Sequence, residues 1–278
     1  NWLIKIVSSC SQAKRLIRKV TPSLVVIDST NLAKEIIFFC YNNEIKSVAL
    51  DYFDVSNSLP NTVINLIDHN PLAIRGGVPN RLGIQYFEGP KYAIVRDEFL
   101  KARKSRLNYV ESIDLHRIVI AFGGADPAGN SRKIIKFLQD FSNKLCIDLI
   151  VGPLFISELR ESLEIENSKH EVTFHEGACG MGVLFEKADL LFCGGGGTVL
   201  ESLCVGVPTV VFAQNEPEQR HASFLASKGA CWMYENIDWS SIKSQTNRVS
   251  ISQIAKATVD GGGTKRICDI VEVQLELV

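Results

Sequence analysis

The 278-residue sequence lacks the marks of several large protein classes. It has no surplus of positive charge: 30 Lys and Arg stand against 31 Asp and Glu, a net charge of -1. A surface that coats a polyanion is therefore not expected, and nucleic acid is a poor partner. No apolar run reaches the length of a membrane span, and the opening residues do not read as a signal peptide. The eight cysteines are scattered, with no CxxC pair, and no His/Cys set has zinc spacing. The expectation is a reduced, cytoplasmic protein in which Cys146, Cys193 and Cys204 act as buried apolar residues. There is no GxSxG elbow, no Walker A run and no acidic cluster of the kind that holds Mg²⁺. Internal repeats and low-complexity segments are absent too. No metal and no cofactor is expected.

What is present is alternation. Apolar, β-rich runs at 23–28 (SLVVID), 46–51 (KSVALD), 62–68 (TVINLID), 117–124 (RIVIAFGG), 146–152, 171–176, 189–195 and 208–213 are interleaved with segments of helical spacing. Strand–helix alternation with strands apolar on both faces predicts α/β architecture with parallel sheets covered on both sides. Two groups of βα units separate around a charged segment. They predict two Rossmann-like domains meeting at a cleft, with boundaries 1–108 and 109–278. The tail, about 262–278, has apolar spacing at Ile267, Ile270 and Val271, and is expected to pack back as a helix on the first domain.

Residues 190–212, LLFCGGGGTVLESLCVGVPTVVF, interrupt an apolar run with four glycines. A strand, a glycine turn and a helix start place Gly196, Gly197 and Thr198 where free backbone N–H groups and the positive end of the helix dipole attract a phosphate. Glu201 follows one turn later and could accept the two hydroxyls of a ribose. The alternative is a tight turn with a capping acid. A second glycine turn, FGGADPAGNSRK at 122–133, offers Gly123 and Gly124 to a ligand, with Asp126 or Asn130 as a helix cap; a purely structural turn accounts for it almost as well. A third cluster, Asn215, Glu218, Gln219 and His221, follows the strand PTVVFA. Its amides could bind a sugar or phosphate, or Asn215 could simply cap a helix. Asp28 and Asp51 end strands, where acids either catalyse or cap, and capping is the simpler role for Asp28. His116 and His170 read as surface or loop residues, and His175 as a strand-end residue without a role.

Three separated stretches, ADLLFCGGGGTVLESLCVGVP (188–208), FGGADP (122–127) and GPKYAIVRDEF (89–99), resemble the UDP-sugar hydrolases of pseudaminic acid biosynthesis and the related spore-coat polysaccharide proteins. The C-terminal half is also similar to the donor-binding half of GT-B glycosyltransferases, including the lipid II N-acetylglucosaminyltransferase. The resemblance runs from about residue 20 to the end. It implies a GT-B fold with UDP in the second domain, Glu201 on the ribose, Gly196, Gly197 and Thr198 on the diphosphate, and Asn215 as the family asparagine, although NEPEQ is longer than the family's usual asparagine–glutamine pair. It also implies hydrolysis of a UDP-linked diacetamido-trideoxy sugar with release of UDP.

Two departures stand against it. The family's opening strand and GxGHxxR turn, whose histidine is the base for the attacking water, are not found. The family tyrosine two residues beyond the strand-end aspartate is here Thr30. The expectations are then a UDP-sugar hydrolase, a UDP-sugar-dependent transferase with an acceptor sugar or lipid, or a non-catalytic UDP-sugar-binding partner subunit. Asp28 and Asn215 are the catalytic candidates. A sheet lacking its first strand would leave an edge for another chain to complete.

Overall fold

A computed structural model describes residues 9–29, 32–52, 60–66, 83–109, 111–124, 126–154, 169–177 and 180–276. The chain divides into two compact units. One comprises Asn1–Ile94 with Gly262–Val278, the other Val95–Gly261.

The first unit is a parallel sheet of four strands, β1 (Leu24–Asp28), β2 (Lys46–Leu50), β3 (Thr62–Asn65) and β4 (Gln85–Glu88), in that spatial order. Helices α1 (Cys10–Val20) and α2 (Ala33–Asn42) join a core with Ile37, Cys40, Ala49, Val63 and Tyr86. Ser9 caps α1 by accepting from the Gln12 N–H, so its first turn is closed by a side chain. The last helix of the chain, here α10 (Gly263–Glu276), belongs to this unit. Its Ile267, Ile270 and Val271 pack against Val48, Ile64 and Tyr92. Gly263 sets the approach: a Cβ there would lie 2.2 Å from the Ala93 carbonyl oxygen. Arg266 donates to the Lys91 carbonyl at 2.7 Å, and Gln274 to Gln85 Oε1 at 2.7 Å.

The second unit opens with α3 (Asp97–Ser105), the charged segment of the sequence. Its buried side carries Phe99, packed on Phe185 with ring centroids 5.1 Å apart. Six parallel strands follow: β5 (Arg117–Ala121), β6 (Cys146–Val151), β7 (Glu171–Glu176), β8 (Leu190–Cys193), β9 (Thr209–Val211) and β10 (Trp232–Met233), in the spatial order β10-β9-β8-β5-β6-β7. Their connecting helices are α4 (Asn130–Leu138), α5 (Met181–Lys187), α6 (Gly197–Val205), α7 (Glu216–Ser227), α8 (Trp239–Lys243) and α9 (Gln245–Thr258). The central strands are sealed on both faces, with Ile118, Val119, Ile120, Leu190, Leu191 and Phe192 fully buried, as continuous apolar runs in parallel sheets require.

The order of the strands positions the site. The chain runs outward from β5 to β6 and β7, then returns to the other side of β5 to place β8. The strand order therefore reverses between β5 and β8, and ligands of doubly wound sheets bind at the carboxyl ends of such a pair. The last register pair of these strands is Ala121 with Cys193. Both glycine turns thus leave the sheet side by side.

Candidate functional site

The four glycines after β8 do two different jobs. A Cβ on Gly194 would lie 2.8 Å from Gln214 Nε2, and one on Gly195 would lie 2.7 Å from the Glu218 carbonyl oxygen. Those two positions are glycine because α7 and its leading loop press against the turn. Gly196 and Gly197 are different. The nearest atom to a Cβ on Gly196 is Glu218 Oε1 at 3.9 Å, and Gly197 has nothing within 4 Å. Their missing side chains leave open space instead of admitting a neighbour.

The turn is held by α7. Glu218 Oε2 accepts from the N–H groups of Gly195 and Gln214, both at 3.0 Å. His221, fully buried, donates from Nδ1 to the Gly195 carbonyl at 2.7 Å. Asn215 is the N-cap of α7 and accepts from the Glu218 N–H at 2.9 Å. Pro217 in the first turn needs no donor there.

The second glycine turn sits beside the first. Gly123 has φ +73°, in the left-handed region where glycine is favoured. Gly152 packs beneath it, where a Cβ would lie 2.2 Å from the Gly123 carbonyl oxygen. Asp126 is buried and its carboxylate accepts from the N–H groups of Asn130 and Ser131, both at 2.8 Å. Of the two caps considered from sequence, Asp126 is the one that fills the start of α4. Asn130 instead accepts from Lys133 Nζ at 3.2 Å.

Between the two turns lies a cavity of about 340 Å³, lined by Gly123, Gly124, Gly196, Gly197, Thr198 and Glu218, with Phe122, Pro127, Gly194 and Gln214 completing the wall. Its electrostatics are asymmetric. The N-terminus of α4 is already answered by the Asp126 carboxylate. The first turn of α6 contains no acid of its own, and its leading N–H groups have no intrahelical acceptor; the Glu218 carboxylate on the same wall is engaged by the Gly195 and Gln214 N–H groups. An anion placed in the cavity meets the start of α6.

The remaining sequence candidates fall elsewhere. Glu201 lies in the second turn of α6, with a side chain 12% exposed, outside the cavity wall. Its oxygens accept from Arg96, Oε1 from Nε at 2.7 Å and Oε2 from Nη2 at 3.2 Å. Asn215 and Gln219 are exposed, and neither lines the cavity. Asp28 ends β1 in the first unit and is exposed. Asp51 in the same unit accepts from the Leu66 N–H at 2.8 Å. Burial pushes its carboxyl up, the Leu66 N–H works against that, and the charge of Asp28 adds to the rise. Thr30 lies outside the described residues.

The histidines need one correction. His170 is not a surface residue. It is 6% exposed, its Nδ1 accepts from the Leu145 N–H at 3.2 Å, and its Nε2 donates to the Leu138 carbonyl at 2.7 Å. It satisfies backbone groups that would otherwise be buried without partners. His116 is exposed. His175 donates from Nε2 to Asp148 Oδ1 at 2.8 Å, and Arg117 holds the other Asp148 oxygen at 2.7 Å. Sequence reasoning missed Arg96, although it stands inside the stretch 89–99. Among the described residues no group of three or more His, Cys, Asp and Glu could hold a metal ion, and no helix is long and apolar enough to cross a membrane.

Known proteins share both sequence and fold with this chain. No protein-family model matches it. Over 206 residues it is 30% identical to an uncharacterized protein of Methanocaldococcus jannaschii, covering 72% of this chain and 42% of that protein. Over 217 residues it is 26% identical to the spore coat polysaccharide biosynthesis protein SpsG of Bacillus subtilis, covering 72% of this chain and 62% of SpsG. The chain spans about half the length of these relatives. In fold it is similar to MurG of Acinetobacter baumannii, with TM-score 0.65 and 14% identity over 95% of this chain and 77% of that one. It is similar too to MnaA of S. aureus, solved with UDP, with TM-score 0.63 and 12% identity over 97% and 80%. The fold is GT-B-like: α/β, with two parallel sheets. At these identities the structural likeness speaks to fold alone.

Proposed function

We propose that the second unit binds the diphosphate of a UDP-sugar and that the chain is part of an enzyme acting at the anomeric carbon, a UDP-sugar hydrolase-like protein of surface-glycan biosynthesis. One observation carries this: the cavity at the β5/β8 switch point is walled by two glycine turns and faces the start of α6, whose first turn holds no acid of its own. Gly196, Gly197 and Thr198 supply backbone N–H groups to the diphosphate, and Gly123 and Gly124 form the opposite wall. Glu201 accepts from the ribose hydroxyls. Glu218, with Asn215 and Gln219 behind it, borders the sugar end. The name of SpsG, a polysaccharide biosynthesis protein, and the UDP in the MnaA structure support the ligand class.

In the reaction, the bond between the anomeric carbon and the phosphate oxygen breaks. UDP leaves with the electron pair, the oxygen of the nucleophile forms the new bond to the anomeric carbon, and the proton it sheds passes to solvent. The fixed dipoles at the start of α6 stabilise the charge that grows on the leaving phosphate. Water is the nucleophile in a hydrolase, an acceptor hydroxyl in a transferase. Of the two catalytic candidates from the sequence, Asp28 belongs to the first unit, and Asn215, whose amide oxygen caps α7, could orient the nucleophile but not deprotonate it.

The test is titration calorimetry of the chain with UDP, then an assay of UDP release from UDP-linked acetamido sugars. Release without any acceptor supports the hydrolase. Release only with an added acceptor would assign a transferase instead, and binding with no turnover a non-catalytic carrier of the nucleotide sugar. Absence of UDP binding would overturn the site.

A further inference from the structure

The stretch 89–99 contributes an arginine to which no function has yet been attached. Arg96 is the residue before α3 and reaches Glu201, 105 positions later in the sequence, with a two-pronged contact: Nε to Oε1 at 2.7 Å and Nη2 to Oε2 at 3.2 Å. The guanidinium is itself fixed. Nη1 pairs with Glu98 Oε1 at 3.1 Å, and its centre lies 4.8 Å from the Phe99 ring centroid. Glu98 in turn accepts from the Gly182 N–H at 3.1 Å, at the start of α5.

A planar fork of this kind fixes the plane of the carboxylate. It does not exhaust it. Each ionised oxygen can accept about two hydrogen bonds, so each Glu201 oxygen has capacity for one more beside its bond from Arg96. Two coplanar acceptors on one carboxylate suit the vicinal hydroxyls of a ribose. Thr198 lines the cavity, and Glu201 stands three residues on, about 4.5 Å along the same helix face. With two acids around one arginine, the pair keeps a negative balance, so Glu201 remains a strong acceptor.

We infer that Arg96 is a positioning residue for the ribose: it locks the Glu201 carboxylate in the orientation that receives the hydroxyl pair, and so sets the preference for ribonucleotides over 2′-deoxyribonucleotides. This rests on the nucleotide proposal above and adds a residue to it. The competing role is structural, a cation that merely neutralises a half-buried acid. A third role is competitive, with Arg96 withholding Glu201 from the ligand.

The experiment is calorimetric titration of UDP and of 2′-deoxy-UDP into the wild-type chain, Arg96→Ala and Arg96→Lys, beside a thermal melt of each. The wild type is expected to prefer UDP by about tenfold or more, the scale of a hydrogen bond to a charged group. In Arg96→Ala that ratio is expected to fall to about twofold or less, with the loss in the UDP arm. Arg96→Lys, which keeps the charge but not the fork, is expected to lie between, and it reads the ratio if the alanine variant fails to fold. An unchanged ratio in the variants, even with a lower melting temperature, would overturn the inference and leave a structural role. Tighter UDP binding by Arg96→Ala would overturn it in favour of competition. A wild type that binds both nucleotides equally would sink it while the diphosphate site stands. A wild type that binds neither removes the nucleotide proposal itself.

Discussion

Glu218 Oε2 accepts from the Gly195 N–H at 3.0 Å, so the first turn of α7 clasps the glycine turn between β8 and α6. The same oxygen takes the Gln214 N–H at 3.0 Å. One carboxylate therefore answers two backbone donors that lie where the sheet ends. Glu218→Ala leaves both without a partner in a half-buried place, and is expected to cost about 1.5–3 kcal/mol of stability. Glu218→Gln keeps an acceptor and is expected to cost less. Denaturant unfolding of the two variants checks the order; equal stability of wild type and Glu218→Ala would show that the clasp contributes nothing.

The glycines of the turn divide by what surrounds them. Gly195→Ala forces a Cβ to within 2.7 Å of the Glu218 carbonyl oxygen, and overpacking against backbone is expected to cost about 1–3 kcal/mol. Gly197→Ala meets nothing within 4 Å and replaces glycine by the best helix former at the start of α6. It is expected to melt at or above the wild-type temperature yet lose UDP affinity, because its methyl group stands where the diphosphate approaches. A melt and a UDP titration of each variant separate the two effects. Full UDP affinity in Gly197→Ala would place the ligand elsewhere.

Asp189 ties the start of the second sheet together and gives it a pH dependence. Its Oδ2 accepts from the N–H groups of His116 and Arg117 at 2.9 and 2.8 Å, and its Oδ1 from the Tyr109 hydroxyl at 2.7 Å. Burial alone would push the carboxyl up. The Arg117 N–H, the Tyr109 hydroxyl and the His116 N–H more than offset that and hold it below its ordinary 3.8. A depressed folded value means that the contribution is present above the unfolded value and is lost as pH falls through the folded one. Tyr109 adds the opposite limb. Burial and then Asp189 push its hydroxyl up from 10.0 to about 12, so its contribution is complete below 10.0 and lost as pH rises through about 12. Asp189→Asn is expected to be destabilised by a constant amount near neutrality, with the gap to wild type closing below about pH 4. Urea melts across pH test this, and a gap that widens in acid would contradict it.

Legibility in the sequence followed the range of the interaction. The strands β5 and β8 were readable because burial on both faces leaves an unbroken apolar run, and the glycine turns because consecutive glycines at a strand end stand out against the apolar runs beside them. β4 was missed: Gln85–Glu88 is four residues long, alternates, and runs into Gly89 and Pro90. So was α9, whose Ser, Thr and Asn content lacks a clear apolar stripe. It is anchored instead by buried Arg248, which donates to the Ile242, Lys243 and Ile113 carbonyls. The division of the glycines into two packed and two open positions depends on where α7 lands, which spacing does not encode. Arg96 and Glu201 are joined only through the packing of α3 on α6, and His170 is placed by carbonyl and N–H groups 32 and 25 residues away.

Glu201 decides whether the turn that starts α6 serves a nucleotide. If its remaining acceptor capacity holds the ribose hydroxyls, Glu201→Ala weakens UDP binding by roughly 1.5–3 kcal/mol, the range for a hydrogen bond to a charged group. That is about one to two decades in Kd. Glu201→Gln keeps one acceptor oxygen and is expected to lose less, although its amide faces Arg96 poorly. Removing the acid leaves the Arg96 guanidinium with Glu98 and the Phe99 ring, on a side chain 45% exposed. The cost to folding is then expected to be small, because an exposed partner can return to water. A purely structural ion pair predicts the reverse: the melting temperature drops and UDP affinity stays where it was. Calorimetric titration with UDP, run beside a thermal melt of both variants, separates the two, and unchanged affinity in Glu201→Ala would remove the acid from the proposed site.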